Sequence, residues 1–171
     1  PTKYSLLTIG YIVWDRECGV LYSREVCQKL ARYRVSREAL EINHFDLKKY
    51  EKERILTSRE IIDEFNLIRS KFFGEKKIPL AGHNISFDVE FLRAMYRKQG
   101  MDIEKTFSYK TVDTFTILQF MNHCGRLPDG ITSLSKAIDY FHIEINERHT
   151  ALGDAFATLD LYQKMLMLCK I

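Results

Sequence analysis

His149 and Asp154 stand at the head of a long amphipathic run, in the stretch His149-Thr-Ala-Leu-Gly-Asp154-Ala-Phe-Ala-Thr158. On a regular helix five residues turn through about 140°, so the two side chains would point different ways. They converge only with the imidazole on a loop and the carboxylate on the helix that follows, the arrangement a catalytic base beside a metal ligand needs. Upstream, Gly82-His83-Asn84-Ile85-Ser86-Phe87-Asp88 brings a second carboxylate to the exit of a short apolar segment. Two carboxylates and one imidazole suit a hard divalent cation and a proton transfer near neutral pH.

Phosphodiester hydrolysis is one reaction that needs this set. It requires an activated water and neutralisation of charge on both the attacking and the leaving oxygen. Two divalent cations about 3.5–4 Å apart meet both needs, and carboxylates hold them because hard cations prefer oxygen. A histidine titrating near working pH can take the proton from the water. Asp88 and Asp154 are the metal ligands this sequence offers, with Mg²⁺ or Mn²⁺ as the ion, and His149 is the candidate base.

The elements that must position these groups alternate between strand and helix. Ser5 to Trp14 and Val20 to Val26 read as extended segments joined by the turn signal Asp15-Arg-Glu-Cys-Gly19, hence a hairpin. Val35 to Arg54 is polar and irregular. Thr57-Ser-Arg-Glu60 is a capping box opening a helix with Ile61, Ile62, Phe65, Ile68 and Phe72 on one face, stopped by Gly74. Ile78 to Ala81 is a short buried strand. Phe87 to Gln99 reads as a helix with Phe87, Phe91, Leu92 and Met95 toward the core. Thr106 to Val112 suits a strand, Asp113 to Met121 a helix, and Thr132 or Ser133 caps a further helix through Tyr140. The last helix runs from about Thr150 to Cys169. A hairpin followed by alternating strands and helices argues for an α/β layered domain with a mixed sheet.

Those residues in those settings resemble the DEDDh family of 3′→5′ exonucleases, which includes the epsilon-type proofreading subunits, ribonuclease T and oligoribonuclease. The family's second motif, His-Asn-x-x-Phe-Asp, is matched by His83, Asn84, Phe87 and Asp88. Its third, His-x-Ala-x-x-Asp-Ala-x-x-Thr, is matched by His149, Ala151, Asp154, Ala155 and Thr158. The sister subclass carries Tyr four residues before the last Asp, where this chain has Thr150. Weaker echoes are Leu6-Leu-Thr-Ile-Gly10, Ala39-Leu-Glu-Ile-Asn43-His44, Val112-Asp113-Thr114 and Thr132-Ser-Leu-Ser135.

The resemblance implies an RNase H-like three-layer fold, a central mixed β-sheet flanked by helices, as one domain over residues 1–171. It implies a two-ion 3′→5′ exonuclease releasing nucleoside monophosphates, with Asn43, His44 and Asn84 near the substrate. The partner is then the 3′ end of single-stranded DNA or RNA; polymerase subunits or a second copy of the chain remain open as further partners. The family's first motif, a strand ending Asp-x-Glu-Thr, would fall ahead of Pro1. The expectation is a native polypeptide starting roughly 10–20 residues earlier, room for one strand and its turn. Asp15-Arg-Glu17 also has the Asp-x-Glu pattern but reads better as the hairpin tip. The competing function is a catalytically incomplete nucleic-acid-binding domain, or one completed by a partner's strand.

Composition adds bounds. The 171 residues are 46% hydrophobic and 29% charged with a net charge of +3, enough for a sizeable core but no argument for a polyanion partner. Cys18, Cys27, Cys124 and Cys169 form no Cys-x-x-Cys pair and read as free thiols. The longest apolar run is too short to span a bilayer and no signal peptide pattern is present, so no membrane role and a cytoplasmic location are expected. Phe87, Phe91, Tyr140 and Phe141 are expected in the core.

Overall fold

The hairpin forms as its turn chemistry predicts. In the computed structural model, which describes residues 4–35, 54–145 and 150–169, β1 (Thr8–Asp15) runs antiparallel to β2 (Gly19–Gln28), with a bulge between Val13 and Trp14. Asp15 Oδ1 accepts the backbone N–H groups of Glu17 at 2.9 Å and Cys18 at 3.0 Å. These bonds, the Cys18 one foremost, hold the Asp15 carboxyl below its ordinary range. The Asp15-Arg-Glu17 pattern is therefore a hairpin tip whose carboxylate is engaged in closing its own turn. A two-residue strand, β3 (Ile55–Leu56), adds in parallel to β2.

Strand alternation gives the hairpin two faces. Ile9, Tyr11 and Val13 join a core cluster with Ile61, Ile62, Phe65 and Ile68 of α1 (Ser58–Ile68). Gly10 and Trp14 face the other way, onto α5 (Ala151–Leu168), where the Trp14 and Tyr162 rings meet at 6.2 Å. The hairpin is thus the middle of three layers.

The capping box on α1 is complete. Thr57 N–H donates to Glu60 Oε2 at 2.7 Å and Glu60 N–H to Thr57 Oγ1 at 3.3 Å. A π-helical turn over Arg69–Phe73 extends α1, and Gly74 stops it at φ +60°. Glu64 of α1 gathers Arg24 (2.9 Å), Tyr22 (3.3 Å) and the Tyr11 hydroxyl, tying helix to hairpin through a half-buried polar network.

A second sheet pairs β4 (Ile78–Gly82) in parallel with β5 (Phe107–Asp113). The described strands thus form two hydrogen-bonded groups, β1-β2-β3 and β4-β5. Between and after them come α2 (Ile85–Lys98), α3 (Thr114–His123) and α4 (Leu134–Phe141), the last capped by Ser133. A second core cluster joins α3, α4 and α5 through Leu118, Met121, Ala137, Ile138, Ala157, Leu161 and Met165. Among the described residues no helix is long and apolar enough to cross a membrane.

Two expectations about the core fail. Phe87 is 61% exposed rather than buried. It stands five residues before Leu92, hence about 140° around the helix from the face that Leu92, Met95 and Tyr96 bury. Tyr140 is exposed as well, its ring against Phe141 at the end of α4. In addition, α2 begins at Ile85 rather than Phe87, because Asn84 adopts φ 59°, ψ 46° and turns the chain from strand directly into helix.

Candidate active site

The Asp88 motif is a strand–turn–helix. β4 ends at Gly82, His83 and Asn84 make the turn, and Asp88 lies in the first turn of α2. A helix N-terminus favours a carboxylate there, since unpaired N–H groups leave partial positive charge. Desolvation by the surrounding protein acts oppositely and raises the Asp88 carboxyl above its ordinary value, although the residue keeps an exposed surface.

The turn is held from β5. Asp113 Oδ1 accepts the Asn84 N–H at 2.8 Å and also caps α3 by accepting the Phe115 N–H at 3.0 Å. Its Oδ2 accepts the Thr116 hydroxyl at 3.2 Å. Next to it, the Thr114 hydroxyl donates to the Gly82 carbonyl at 3.1 Å and lies 3.0 Å from His83 Nδ1. The His83 ring sits edge-on to Phe115 at 5.7 Å, and burial lowers its pKa despite the nearby Asp113 charge. His83 thereby brackets the turn. The Asn84 side chain accepts the Ser86 hydroxyl at 3.3 Å and makes no cap bond to α2.

Asp113 and Thr114 were visible in the sequence only as a weak family echo. An Asp closing a strand just before an apolar helix is a recognisable N-cap signal. Its second bond, to a turn 29 residues upstream, leaves no sequence trace.

Asp154 also lies in the first turn of its helix. Thr150 is the N-cap of α5, its hydroxyl accepting the Gly153 N–H at 2.9 Å, and Asp154 N–H donates to the Thr150 carbonyl at 3.0 Å. The Asp154 residue is exposed. His149, Asn43 and His44 lie outside the described residues.

Asp88 and Asp154 thus occupy equivalent settings, exposed carboxylates in the first turns of two helices. They are oxygen donors of the type a hard divalent cation takes. Among the described residues, however, no three His, Cys, Asp or Glu side chains come together closely enough to hold a metal ion. Next to Asp88 in the sequence, the exposed Phe87 ring stands against Phe91 at 5.0 Å, 62° between planes.

Both carboxylates lie within the stretch of the chain that a known family matches. The RNase T exonuclease family model matches residues 32–162. The chain belongs to the RNase T exonuclease family. An exonuclease domain of this family has an RNase H-like α/β fold, acts on nucleic acid and generally uses divalent metal ions. The chain is also 30% identical over 87 residues to the DNA polymerase III PolC-type of Caldanaerobacter subterraneus subsp. tengcongensis. That match covers 51% of this chain and 6% of the length of that protein.

Proposed function

We propose that this exonuclease domain is of the DEDDh kind and removes nucleotides from the 3′ end of single-stranded nucleic acid as nucleoside monophosphates. The observation that carries the reading is the matched placement of Asp88 and Asp154, each exposed in the first turn of a helix, in a chain of the exonuclease family. Asp88 and Asp154 are the metal ligands in this reading, and the rest of the ligand set comes from outside the described residues. Divalent ions bound there would offset the charge on the attacking and leaving oxygens.

The protein's own groups do the rest. His149 takes the proton from the attacking water, as an imidazole near neutral pH can. Asn84, fixed by Asp113, and the segment with Asn43 and His44 face the terminal nucleotide. Phe87, standing out beside Asp88, stacks a base; such stacking tolerates any base because each has a π face. The similarity to a PolC-type polymerase supports a polymerase context as the setting for this activity.

A second reading, a domain that holds a 3′ end without cutting it, draws on the lack of a three-donor cluster among the described residues. Parallel digestions of one oligonucleotide, labelled at the 5′ or the 3′ end, in Mn²⁺ separate the two. A descending ladder from the 5′ label with early release of the 3′ label supports 3′→5′ hydrolysis. Binding by fluorescence anisotropy with no product supports the second reading.

A further inference from the structure

Gly10 of β1 and Glu25 of β2 are direct cross-strand partners, and both meet the first turn of α5. A Cβ on Gly10 would stand 2.1 Å from the Ala151 carbonyl carbon and 2.3 Å from Leu152 N, so only glycine lets the helix start rest on the strand. Glu25, on the same face, is 7% exposed, an unusual burial for a carboxylate. Its Oε2 accepts the Leu152 N–H at 2.8 Å across 127 residues of sequence.

The first N–H groups of a helix have no partner within it. In α5 the Gly153 N–H is served by Thr150, which belongs to the same local turn and moves with it. The Leu152 N–H is served by Glu25, which belongs to the hairpin. Glu25 therefore fixes the start of α5 in space. A charged acceptor at the positive end of a helix makes a short, strong bond, and burial keeps water from replacing it. Two residues further on stands Asp154, and just before the N-cap Thr150 stands His149.

We propose that Glu25 is a positioning residue of the active site. By holding the Leu152 N–H over Gly10, it sets the first turn of α5, and with it the Asp154 carboxylate. Its link to catalysis rests on the exonuclease reading of Asp154; its hold on the helix does not. Misplacing a reacting group by about 1 Å can cost about a hundredfold in rate, so a loosened first turn acts on turnover more than on substrate binding.

The test uses the full chain as Glu25→Ala and Glu25→Gln, with amide hydrogen exchange read by residue and kcat and KM measured on an oligonucleotide in Mn²⁺. Glu25→Ala is expected to speed exchange at Leu152 by about tenfold or more. The Leu161 and Met165 amides should keep their wild-type rates. In an active protein kcat falls by about tenfold or more, with KM within about threefold. Glu25→Gln, which keeps an acceptor oxygen without the charge, should fall between wild type and Glu25→Ala in both readouts.

Unchanged Leu152 exchange in the variants overturns the proposal. So does loosening along the whole helix, or a loosened Leu152 with kcat unchanged in an active protein. If Glu25→Ala does not fold, Glu25→Gln decides by the same criteria, with several-fold faster Leu152 exchange expected. If the wild-type chain cleaves nothing while Leu152 still loosens in the variants, the exonuclease reading fails and the hold of Glu25 on α5 stands.

Discussion

The carboxylate of Asp113 holds the backbone N–H of Asn84 at 2.8 Å, joining the end of β5 to the turn that starts the helix bearing Asp88. The same oxygen caps α3, so one side chain anchors the starts of two helices. Asn84 is in the left-handed region, at φ 59°. For a residue other than glycine that conformation is costly and persists where the surroundings determine it. The Asp113 bond and the Thr114–Gly82–His83 bracket supply that determination.

Asp113→Ala removes the acceptor from two backbone N–H groups and should destabilise the protein by about 1–3 kcal/mol, the range for a lost cap and unmet donors. Asp113→Asn retains an acceptor oxygen and should recover part of that loss. Urea denaturation of both variants checks this. A loss for Asp113→Ala below about 0.5 kcal/mol would mean that water replaces the carboxylate without cost.

Phe87 is exposed beside Asp88, and its truncation separates a binding role from a structural one. Phe87→Ala should leave stability within about 0.5 kcal/mol, as for an ordinary surface change. Under the proposed function it should weaken oligonucleotide binding by about fivefold to a hundredfold, the worth of one stacked base. Anisotropy titrations and thermal melts measure the two effects. A large stability loss with unchanged binding would return Phe87 to the core.

Cys27 is fully buried, and that burial pushes its thiol up to about 11 from the usual 9.0, with a smaller push from the Glu25 charge. A raised native pKa means the folded chain keeps its proton where the unfolded chain loses it. Stability from this group is complete below about pH 9 and falls as pH rises through about 11. Urea melts from pH 8 to 11 should therefore show wild type losing stability relative to Cys27→Ala over that interval. A constant difference would contradict the assignment. In the folded protein at pH 8, iodoacetamide should label the exposed Cys18, Cys124 and Cys169 and spare Cys27.

The parts of the fold set by local chemistry were legible in the sequence. The hairpin follows from Asp15 and Gly19 at its turn, and α1 from the Thr57–Glu60 box and the spacing of Ile61, Ile62, Phe65 and Ile68. The placement of Asp88 and Asp154 in first turns was legible too, because Asp88 follows the Gly82-His83-Asn84 turn closely and Asp154 stands four residues after the helix start expected at Thr150. Contacts between distant segments were not. Nothing near Glu25 announces Leu152, and nothing near Asp113 announces Asn84, since a carboxylate meeting a backbone N–H constrains no side chain at the other end. Gly10 was the one available clue, as glycine inside a strand often marks the close approach of another backbone. Phe87 departs from its expected core position because five residues separate it from Leu92, which puts it on another face of the helix. The polar segment Val35 to Arg54 falls mostly outside the described residues, and Asn43 and His44 with it.

The central claim is that Asp88 and Asp154 belong to one metal-dependent hydrolytic site. Its most direct test is the rate of mononucleotide release from a single-stranded oligonucleotide in Mn²⁺, measured for wild type, Asp88→Asn and Asp154→Asn. These substitutions keep shape and hydrogen bonding while removing the negative charge a divalent cation requires. The account predicts release by wild type that stops on chelation, and a loss of about a hundredfold or more in each variant at unchanged fold. Wild-type rates in either variant would contradict it.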